Sequence, residues 1–214
     1  MDVIFDLDGT LIDSAPAILQ SFAQVLERHD ITPLHPLSSA LIGPPLRPTL
    51  QKLSGITDPA RLEALAADFV DVYDGHAYRA TLAYDGVDAM LRALLEGGAR
   101  LHIATNKRLA PTEKILHHLG WHTLFHSVYA LDRASPAYPG KADMLQALLR
   151  DEGVAVEAAC YVGDTPGDLD AAQACGLRFH GVEWGYGRFV SSGGSLLLHE
   201  RPEGLLAELE IPAG

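Results

Sequence analysis

The amino-acid sequence predicts an α/β fold in which helices cover both faces of a parallel sheet and one all-helical segment is inserted. Two observations lead to this class. After Tyr84, short strand-like runs alternate with helix-like stretches through short links, and such alternation is typical of a parallel sheet. Between residues 15 and 80 the apolar periodicity is only helical, with no convincing strand.

The first predicted strand is the apolar run at residues 3–5, which ends at a turn with the sequence Asp-Leu-Asp-Gly-Thr. The remaining elements of the sheet and its helices follow Tyr84, and glycines mark the ends of several helices. The further strands are predicted at residues 100–104, 127–131, 159–162 and, as the last one, 178–182. The helices are predicted at residues 87–96, 111–119, 141–151, 166–175 and 202–209.

The inserted segment begins near Pro16, which suits the first turn of a helix. Ile18, Phe22, Val25 and Leu26 then recur at helical spacing, and residues 60–73 form another long helical stretch. Prolines and a glycine break the chain between these helices. We therefore predict an α/β core formed by residues 1–14 and 81–214, with a helical cap formed by residues 15–80.

The composition is that of an ordinary globular chain, with 214 residues of which 48% are hydrophobic and 21% are charged. A net charge of −12 argues against nucleic acid as a partner, because an acidic surface repels phosphate backbones. No apolar run approaches the roughly 20 residues that span a bilayer, so no membrane partner is expected. The N-terminal residues do not resemble a signal peptide, and Cys160 and Cys175 form no disulfide framework. We predict a cytoplasmic protein.

Polar side chains are concentrated where the predicted parallel strands end. Ligands bind beyond the carboxyl ends of such strands, so these side chains are expected to share one crevice. Crowded carboxylates repel one another unless a cation intervenes, and a hard divalent ion with oxygen ligands, most simply Mg2+, meets this need. A metal, a lysine and an unhindered carboxylate together suit phosphoryl transfer. The residues concerned are Asp6, Asp8, Thr105, Asn106, Lys141, Asp164 and Asp168.

Four motifs in this order resemble those of the haloacid dehalogenase-like hydrolases. They are Asp6-Leu-Asp-Gly-Thr-Leu-Ile-Asp-Ser, Thr105-Asn-Lys, Lys141 and Gly163-Asp-Thr-Pro-Gly-Asp. The resemblance covers nearly the whole chain, and residues 15–80 are similar to the helical cap that the family inserts between its first two motifs. It implies a Rossmann-like core with a helical cap.

The resemblance also implies a role for each motif residue. Asp6 would be the nucleophile that forms an aspartyl-phosphate, and Asp8 would be the general acid and then the general base. Thr105, Asn106 and Lys141 would bind the phosphoryl group. Mg2+ would be held by Asp6, by the backbone carbonyl of Asp8 and by Asp164, with Asp168 either a direct ligand or a partner of the ligands.

Within the family, the chain is most similar to the phosphoglycolate phosphatase-like subgroup, through residues 41–46 in the cap and Trp184-Gly-Tyr-Gly in the core. Asp8 argues against a true dehalogenase, which lacks the second aspartate of the first motif. Two other enzymes stay open. A phosphosugar mutase is disfavoured because Ile18 occupies the position of a histidine in those members. A phosphonate hydrolase needs a cap lysine, and Lys52 is the only one.

A non-catalytic binding protein with the same fold is the remaining alternative. The reading that the residues favour is a Mg2+-dependent phosphatase of a small phosphorylated metabolite, with phosphoglycolate or a similar ester as substrate, acting as a monomer or homodimer. Substrate choice is expected to come from the cap, where Gly43 and Arg47 lie in a proline-rich turn. There Arg47 would bind a second anionic group of the substrate.

Overall fold

The computed structural model describes residues 1–189 and 196–209. Its main sheet has six strands in the order β5-β4-β1-β6-β7-β8, and every neighbouring pair is parallel. The strands are β1 Asp2–Phe5, β4 Arg100–Thr105, β5 Ser127–Ala130, β6 Ala159–Gly163, β7 Arg178–Val182 and β8 Leu197–His199. The prediction of a parallel α/β sheet is therefore confirmed.

The central strands are buried because helices cover both faces of the sheet. Successive residues of β1 alternate between the two faces: Val3 and Phe5 belong to one apolar cluster and Ile4 to the other. Helices α4 (Val87–Glu96), α5 (Leu109–His118) and α8 (Pro202–Glu208) pack on the first face. Helices α6 (Lys141–Asp151) and α7 (Pro166–Ala174) pack on the second. This arrangement explains why the core strands read as continuous apolar runs.

The inserted segment is helical, as predicted. Residues 15–80, all of which the structure describes, contain α1 (Ala15–Arg28), α2 (Leu46–Ser54), α3 (Pro59–Gly75) and two short 3-10 turns, with no strand. The helices enclose their own apolar cluster, in which the rings of Phe22 and Phe69 lie 4.6 Å apart between centroids. Helix α2 contains Pro48 in its first turn, where no backbone N–H is needed.

Three elements were absent from the sequence prediction. β2 (Ile12–Asp13) and β3 (Leu82–Ala83) pair antiparallel where the chain enters and leaves the helical segment. β8 pairs with β7, so the prediction that residues 178–182 form the last strand is wrong. These strands have two or three residues, too few for a periodic pattern to be seen in the sequence. Among the described residues, no helix has the length and hydropathy that a bilayer-spanning segment requires.

Candidate active site

The carboxyl-terminal edge of the sheet brings the predicted site residues together. β1 lies between β4 and β6, so the residues that follow or end these three strands meet at one place. We call this group of side chains the polar edge. It consists of Asp6 and Asp8 after β1, Thr105 and Asn106 at the end of β4, Lys141 at the start of α6, Asp164 after β6 and Asp168 in α7.

Asp6 is a buried carboxylate with one uncommitted oxygen. The residue is 4% exposed, and its Oδ2 lies 3.2 Å from the Nζ of Lys141. Its Oδ1 is buried and has no hydrogen-bond partner among the described residues. Burial raises the pKa of Asp6 to about 7, since the neighbouring carboxylates add to the effect of desolvation and Lys141 only partly opposes it. A further cation would be needed to stabilise the ionised form.

Lys141 is held in place by Asp168. The Nζ of Lys141 donates to Oδ1 of Asp168 at 2.5 Å. Burial lowers the pKa of Lys141, but the carboxylates of Asp168 and Asp6 outweigh this effect and the pKa is raised. Oδ1 of Asp168 also accepts from the Tyr161 hydroxyl at 3.1 Å, and Oδ2 accepts from the backbone N–H of Thr165 at 3.0 Å. Burial alone would raise the pKa of Asp168, but Lys141 and Thr165 hold it below its ordinary value. Both oxygens of Asp168 are therefore already engaged.

Asp164 is the second carboxylate that faces Asp6. Its Oδ2 accepts from the backbone N–H groups of Tyr186 at 2.8 Å and Gly187 at 3.2 Å, and its Oδ1 accepts from the Thr10 hydroxyl at 3.3 Å. Burial, assisted by Asp168, raises the pKa of Asp164 to about 6 despite these donors. Asp6, Asp164 and Asp168 each offer a carboxylate oxygen, and these three oxygens lie within 4.8 Å of one another.

Two glycines allow the backbone to approach Asp164. Gly9 has a φ of +85°, and a Cβ at this position would overlap the Asp164 carboxylate. A Cβ at Gly185 would overlap the backbone carbonyl of Gly9 and the side chain of Asp164. Any larger residue at these positions would displace the carboxylate from the polar edge.

Asp8 is held by partners from two separate segments of the core. Lys107 donates to its two oxygens at 3.0 and 3.2 Å, and the Ser14 hydroxyl also donates to Oδ1. The Nζ of Lys107 lies 4.7 Å from the ring centroid of Tyr73 in α3. Burial lowers the pKa of Lys107, but Asp8 and Tyr73 outweigh it and the pKa is raised. Asp8 therefore has a fixed orientation beside Asp6.

The segment after β4 connects the polar edge to the cap. The Asn106 side-chain amide donates to the backbone carbonyl of Gly43 at 3.1 Å. Arg108 forms a two-pronged ion pair with Asp74 at the end of α3, with N–O distances of 2.6 and 2.8 Å. A cavity that opens to solvent lies between this segment and the cap, and Asp6, Asp8 and Thr105 line its floor.

Comparisons with known proteins agree with this arrangement. Residues 3–182 match the family model of haloacid dehalogenase-like hydrolases. The chain belongs to that family. A phosphoglycolate phosphatase of Xanthomonas campestris is 33% identical over 192 residues, which cover 86% of this chain and 83% of that protein. The crystal structure of a predicted phosphatase from Clostridium acetobutylicum has a TM-score of 0.84 at 25% identity, covering 97% of each chain.

A second kind of relative carries a different name. The tyrosine-protein kinase PtkA of Mycobacterium tuberculosis is 35% identical over 187 residues, which cover 87% of this chain. The same residues cover 63% of the kinase, so the chain spans less than two thirds of that relative's length.

Arg47 lies apart from the polar edge. Its guanidinium forms two hydrogen bonds with Glu63, at 2.8 and 2.9 Å, and both side chains are mostly exposed. Arg47 does not line the cavity, whereas Gly43 does. The position of Arg47 therefore gives no support to the expected contact with a second anionic group, because its cationic group is already neutralised on the surface by a carboxylate that the sequence pattern does not reveal.

Three further residues contribute to the site without having been predicted. Lys107 and Ser14 orient Asp8, and Tyr186 holds both Asp164, through its backbone, and the start of the cap, through its hydroxyl. That hydroxyl donates to Asp13 at 2.8 Å and accepts from the backbone N–H of Ser14 at 2.7 Å. The sequence signals were the lysine that follows Asn106 and the aromatic, glycine-rich segment at residues 184–187.

Proposed function

We propose that this chain is a Mg2+-dependent phosphatase that hydrolyses a small phosphomonoester through an aspartyl-phosphate formed on Asp6. The observation that carries the proposal is the state of the Asp6 side chain. It is buried at the carboxyl end of β1 beside a lysine, and its Oδ1 has no partner in the described part of the chain. A buried carboxylate oxygen without a protein partner in this position suits a nucleophile or a metal ligand far better than a structural acid.

The polar edge fits a divalent cation with oxygen ligands. Among the described residues, one buried oxygen of Asp6 has no partner, and burial together with neighbouring carboxylates raises the pKa values of Asp6 and Asp164. Asp6, Asp164 and the backbone carbonyl of Asp8 would hold Mg2+. Asp168 would act as a partner of the ligands, since Lys141, Tyr161 and Thr165 engage its oxygens. When bound, Mg2+ would neutralise charge on the phosphoryl oxygens and on Asp6.

In the first half of the proposed reaction, an oxygen of Asp6 forms a bond to phosphorus as the bond between phosphorus and the ester oxygen breaks. Asp8 donates a proton to the departing oxygen, which leaves as an alcohol or phenol. Lys141 contributes positive charge beside Asp6, and Thr105 and Asn106 bind the phosphoryl group from the end of β4. The product left on the protein is the mixed anhydride of Asp6 and phosphate.

In the second half, a water molecule attacks phosphorus and the bond to Asp6 breaks. Asp8, now ionised, takes one proton from that water, so inorganic phosphate leaves and both carboxyl groups return to their starting state. Lys107 and Ser14 keep Asp8 oriented for both proton transfers, since both donate hydrogen bonds to its carboxylate. Because Asp8 is already positioned, no further entropy is lost in bringing an acid to the leaving group during the reaction.

The structure supports the hydrolase reading over two of the alternatives. Lys52 is exposed on α2 and does not line the cavity, so it is not positioned to form an imine with a substrate. Ile18 does line the cavity, and it offers no proton-transfer group of the kind a mutase uses. The intact set of charged residues at the polar edge argues against a non-catalytic binding protein, because such a set is costly to maintain without a ligand.

The relatives suggest where to begin with substrates and partners. The similarity to the phosphoglycolate phosphatase of Xanthomonas campestris supports a phosphatase that acts on small metabolites. Phosphoglycolate is therefore one of the first esters to test. The similarity to PtkA favours, as a second candidate, phosphoryl transfer to a tyrosine hydroxyl. The two reactions differ in their balance: hydrolysis releases inorganic phosphate from an ester, whereas a kinase moves phosphate from a nucleotide to tyrosine.

The decisive experiment looks for the covalent intermediate. Enzyme mixed with an ester and Mg2+ and quenched in acid should carry one phosphoryl group on the peptide that contains Asp6, detected by mass spectrometry. The Asp6→Asn variant should lack it, and excess chelator should prevent both labelling and phosphate release. Release of phosphate from an ester without any phosphorylated Asp6 would contradict the proposal. So would a phosphoryl group on Asp6 that forms only when a nucleotide is the donor and tyrosine is the acceptor.

A further inference from the structure

The cavity above Asp6 and Asp8 has an apolar wall on the side of the cap. Three cap helices and the turn before α2 supply this surface, and we call it the cap wall. Two of its rings, those of Phe22 and Phe69, are adjacent and tilted by 33°. The Tyr73 ring stacks on Phe69 at 5.6 Å and continues the same surface. The residues of the cap wall are Ile18, Phe22, Leu41, Ile42, Leu46 and Phe69.

The cations of the cavity are already occupied. Within the described residues, the positively charged side chains that line it are Lys107 and Arg108. Lys107 contacts both oxygens of Asp8, and Arg108 contacts both oxygens of Asp74. Lys141, which lines the neighbouring opening, contacts Asp6 and Asp168. A second anionic group on a substrate would therefore face hydrocarbon rather than a spare cation.

We infer that the substrate carries an uncharged, apolar leaving group, with an aryl group as the best fit to the cap wall. This inference rests on the proposed phosphatase function and deepens it by naming the substrate class. An aryl group can pack against Ile18 and Leu46, the partly exposed members of the cap wall. Phe22 and Phe69 are 2% and 5% exposed and add aromatic contact where they line the cavity. A carboxylate such as that of phosphoglycolate would lose its hydration against the same surface without gaining a partner.

The test compares esters whose leaving alcohols are similar in basicity, so that intrinsic reactivity does not decide the outcome. Benzyl phosphate supplies the apolar ring, phosphoglycolate supplies the carboxylate, and glycerol 3-phosphate supplies neutral polar groups. With Mg2+, kcat/KM for benzyl phosphate should exceed that for phosphoglycolate by at least about tenfold, in line with the discrimination that apolar pockets achieve. An equal or higher value for phosphoglycolate overturns the inference.

Variants of two neighbouring residues in α1 supply a matched control. Ile18 and Leu19 are both half-buried, but only Ile18 lines the cavity. Ile18→Ala should lower kcat/KM for benzyl phosphate by about fivefold to tenfold more than kcat/KM for glycerol 3-phosphate, since only the ring contacts this side chain. Leu19→Ala should change the two esters equally. Ile18→Arg should shift the preference towards phosphoglycolate by supplying the missing cation.

Binding without turnover separates failure of the inference from failure of the proposed function. Calorimetry with the Asp6→Asn variant should show tighter binding of benzyl phosphate than of phosphoglycolate, and Ile18→Ala in that background should remove most of the difference. If phosphate is released from all three esters while the Ile18 and Leu19 variants behave alike, the phosphatase stands and the apolar leaving group is overturned. If no ester releases phosphate, both proposals are overturned.

Discussion

The polar edge and the cap wall face each other across one cavity and differ in almost every respect. At the polar edge, Asp164, Asp168 and Lys141 are fixed by hydrogen bonds and ion pairs, and Asp6 Oδ1 is the orphaned buried acceptor. The cap wall offers aliphatic and aromatic carbon atoms that bind without directional contacts. Under the proposed function, this difference implies that phosphoryl chemistry and substrate choice would be carried by separate parts of the chain, which could be changed independently.

The two regions meet in the segment after β4. Lys107 contacts Asp8 and the Tyr73 ring, and Arg108 pairs with Asp74, so adjacent residues connect the polar edge to the end of α3. Substitutions at the polar edge should therefore affect all esters alike, whereas substitutions in the cap wall should affect them unequally. The following predictions test this separation, starting with the largest expected effect.

Replacing the proposed nucleophile should have the largest effect. Asp6→Asn should reduce kcat by at least about a thousandfold for every ester, because an amide is a poor nucleophile and the buried site offers no substitute. Steady-state phosphate release with Mg2+ measures it. Asp85→Asn, an exposed acid outside the site, serves as the control and should retain full activity. Comparable rates for Asp6→Asn and Asp85→Asn would exclude Asp6 as the nucleophile.

The two neighbouring acids should separate a metal ligand from its partner. Asp164→Asn should raise the Mg2+ concentration for half-maximal activity by about tenfold or more, since it weakens an oxygen that faces Asp6. Asp168→Asn should act mainly through stability and through Lys141, because its oxygens bind protein donors. Activity titrations with Mg2+, together with denaturant unfolding, measure the two effects. Equal shifts of the half-maximal Mg2+ concentration in the two variants would mean that Asp168, like Asp164, binds the metal directly.

Mg2+ should stabilise the fold more at pH 8 than at pH 5. Burial raises the pKa of Asp6 to about 7 and of Asp164 to about 6, both above the ordinary 3.8. Between 3.8 and these values the folded state holds protons that the unfolded chain has released. The free energy of unfolding therefore falls as the pH rises from about 3.8 to these folded-state pKa values. A cation replaces the protons, so its effect is greatest where both groups are ionised.

The measurement is the difference in Tm between excess Mg2+ and excess chelator at each pH. The increment should be a few degrees at pH 8, since about 1 kcal/mol shifts Tm by roughly 2–4 °C for a chain of this size, and smaller at pH 5. Burial lowers the pKa of His180 to about 4, and its contribution to stability is the same with Mg2+ and with chelator, so it cancels in the difference. An increment that is as large at pH 5 would show that Asp6 and Asp164 do not bind the cation as carboxylates.

The sequence was sufficient for what depends on local pattern and insufficient for what depends on distant contacts. Buried strands and the motif residues at their ends follow from apolar runs and residue order, and the structure brings those residues together. The pairing of Arg108 with Asp74 joins residues that are far apart in the chain. The hydrogen bond from Tyr161 to Asp168 depends on which of several nearby donors the carboxylate accepts from. No periodicity encodes such choices. The short strands β2, β3 and β8 were not predicted for a different reason, because they contain too few residues to form a periodic pattern.

Arg47 gives the smallest expected effect and the sharpest test of the boundary between the two regions. Its side chain is 61% exposed and pairs with Glu63, which is 59% exposed, so Arg47→Ala should change the free energy of unfolding by less than about 1 kcal/mol. The ratio of kcat/KM for benzyl phosphate to that for phosphoglycolate should stay the same, as it should in the control Arg61→Ala, which removes another exposed arginine from the cap. A selective loss on phosphoglycolate would mean that Arg47 leaves Glu63 to bind a second anion in the complex. The cap would then select its substrates by charge, and the apolar cap wall would not be what determines specificity.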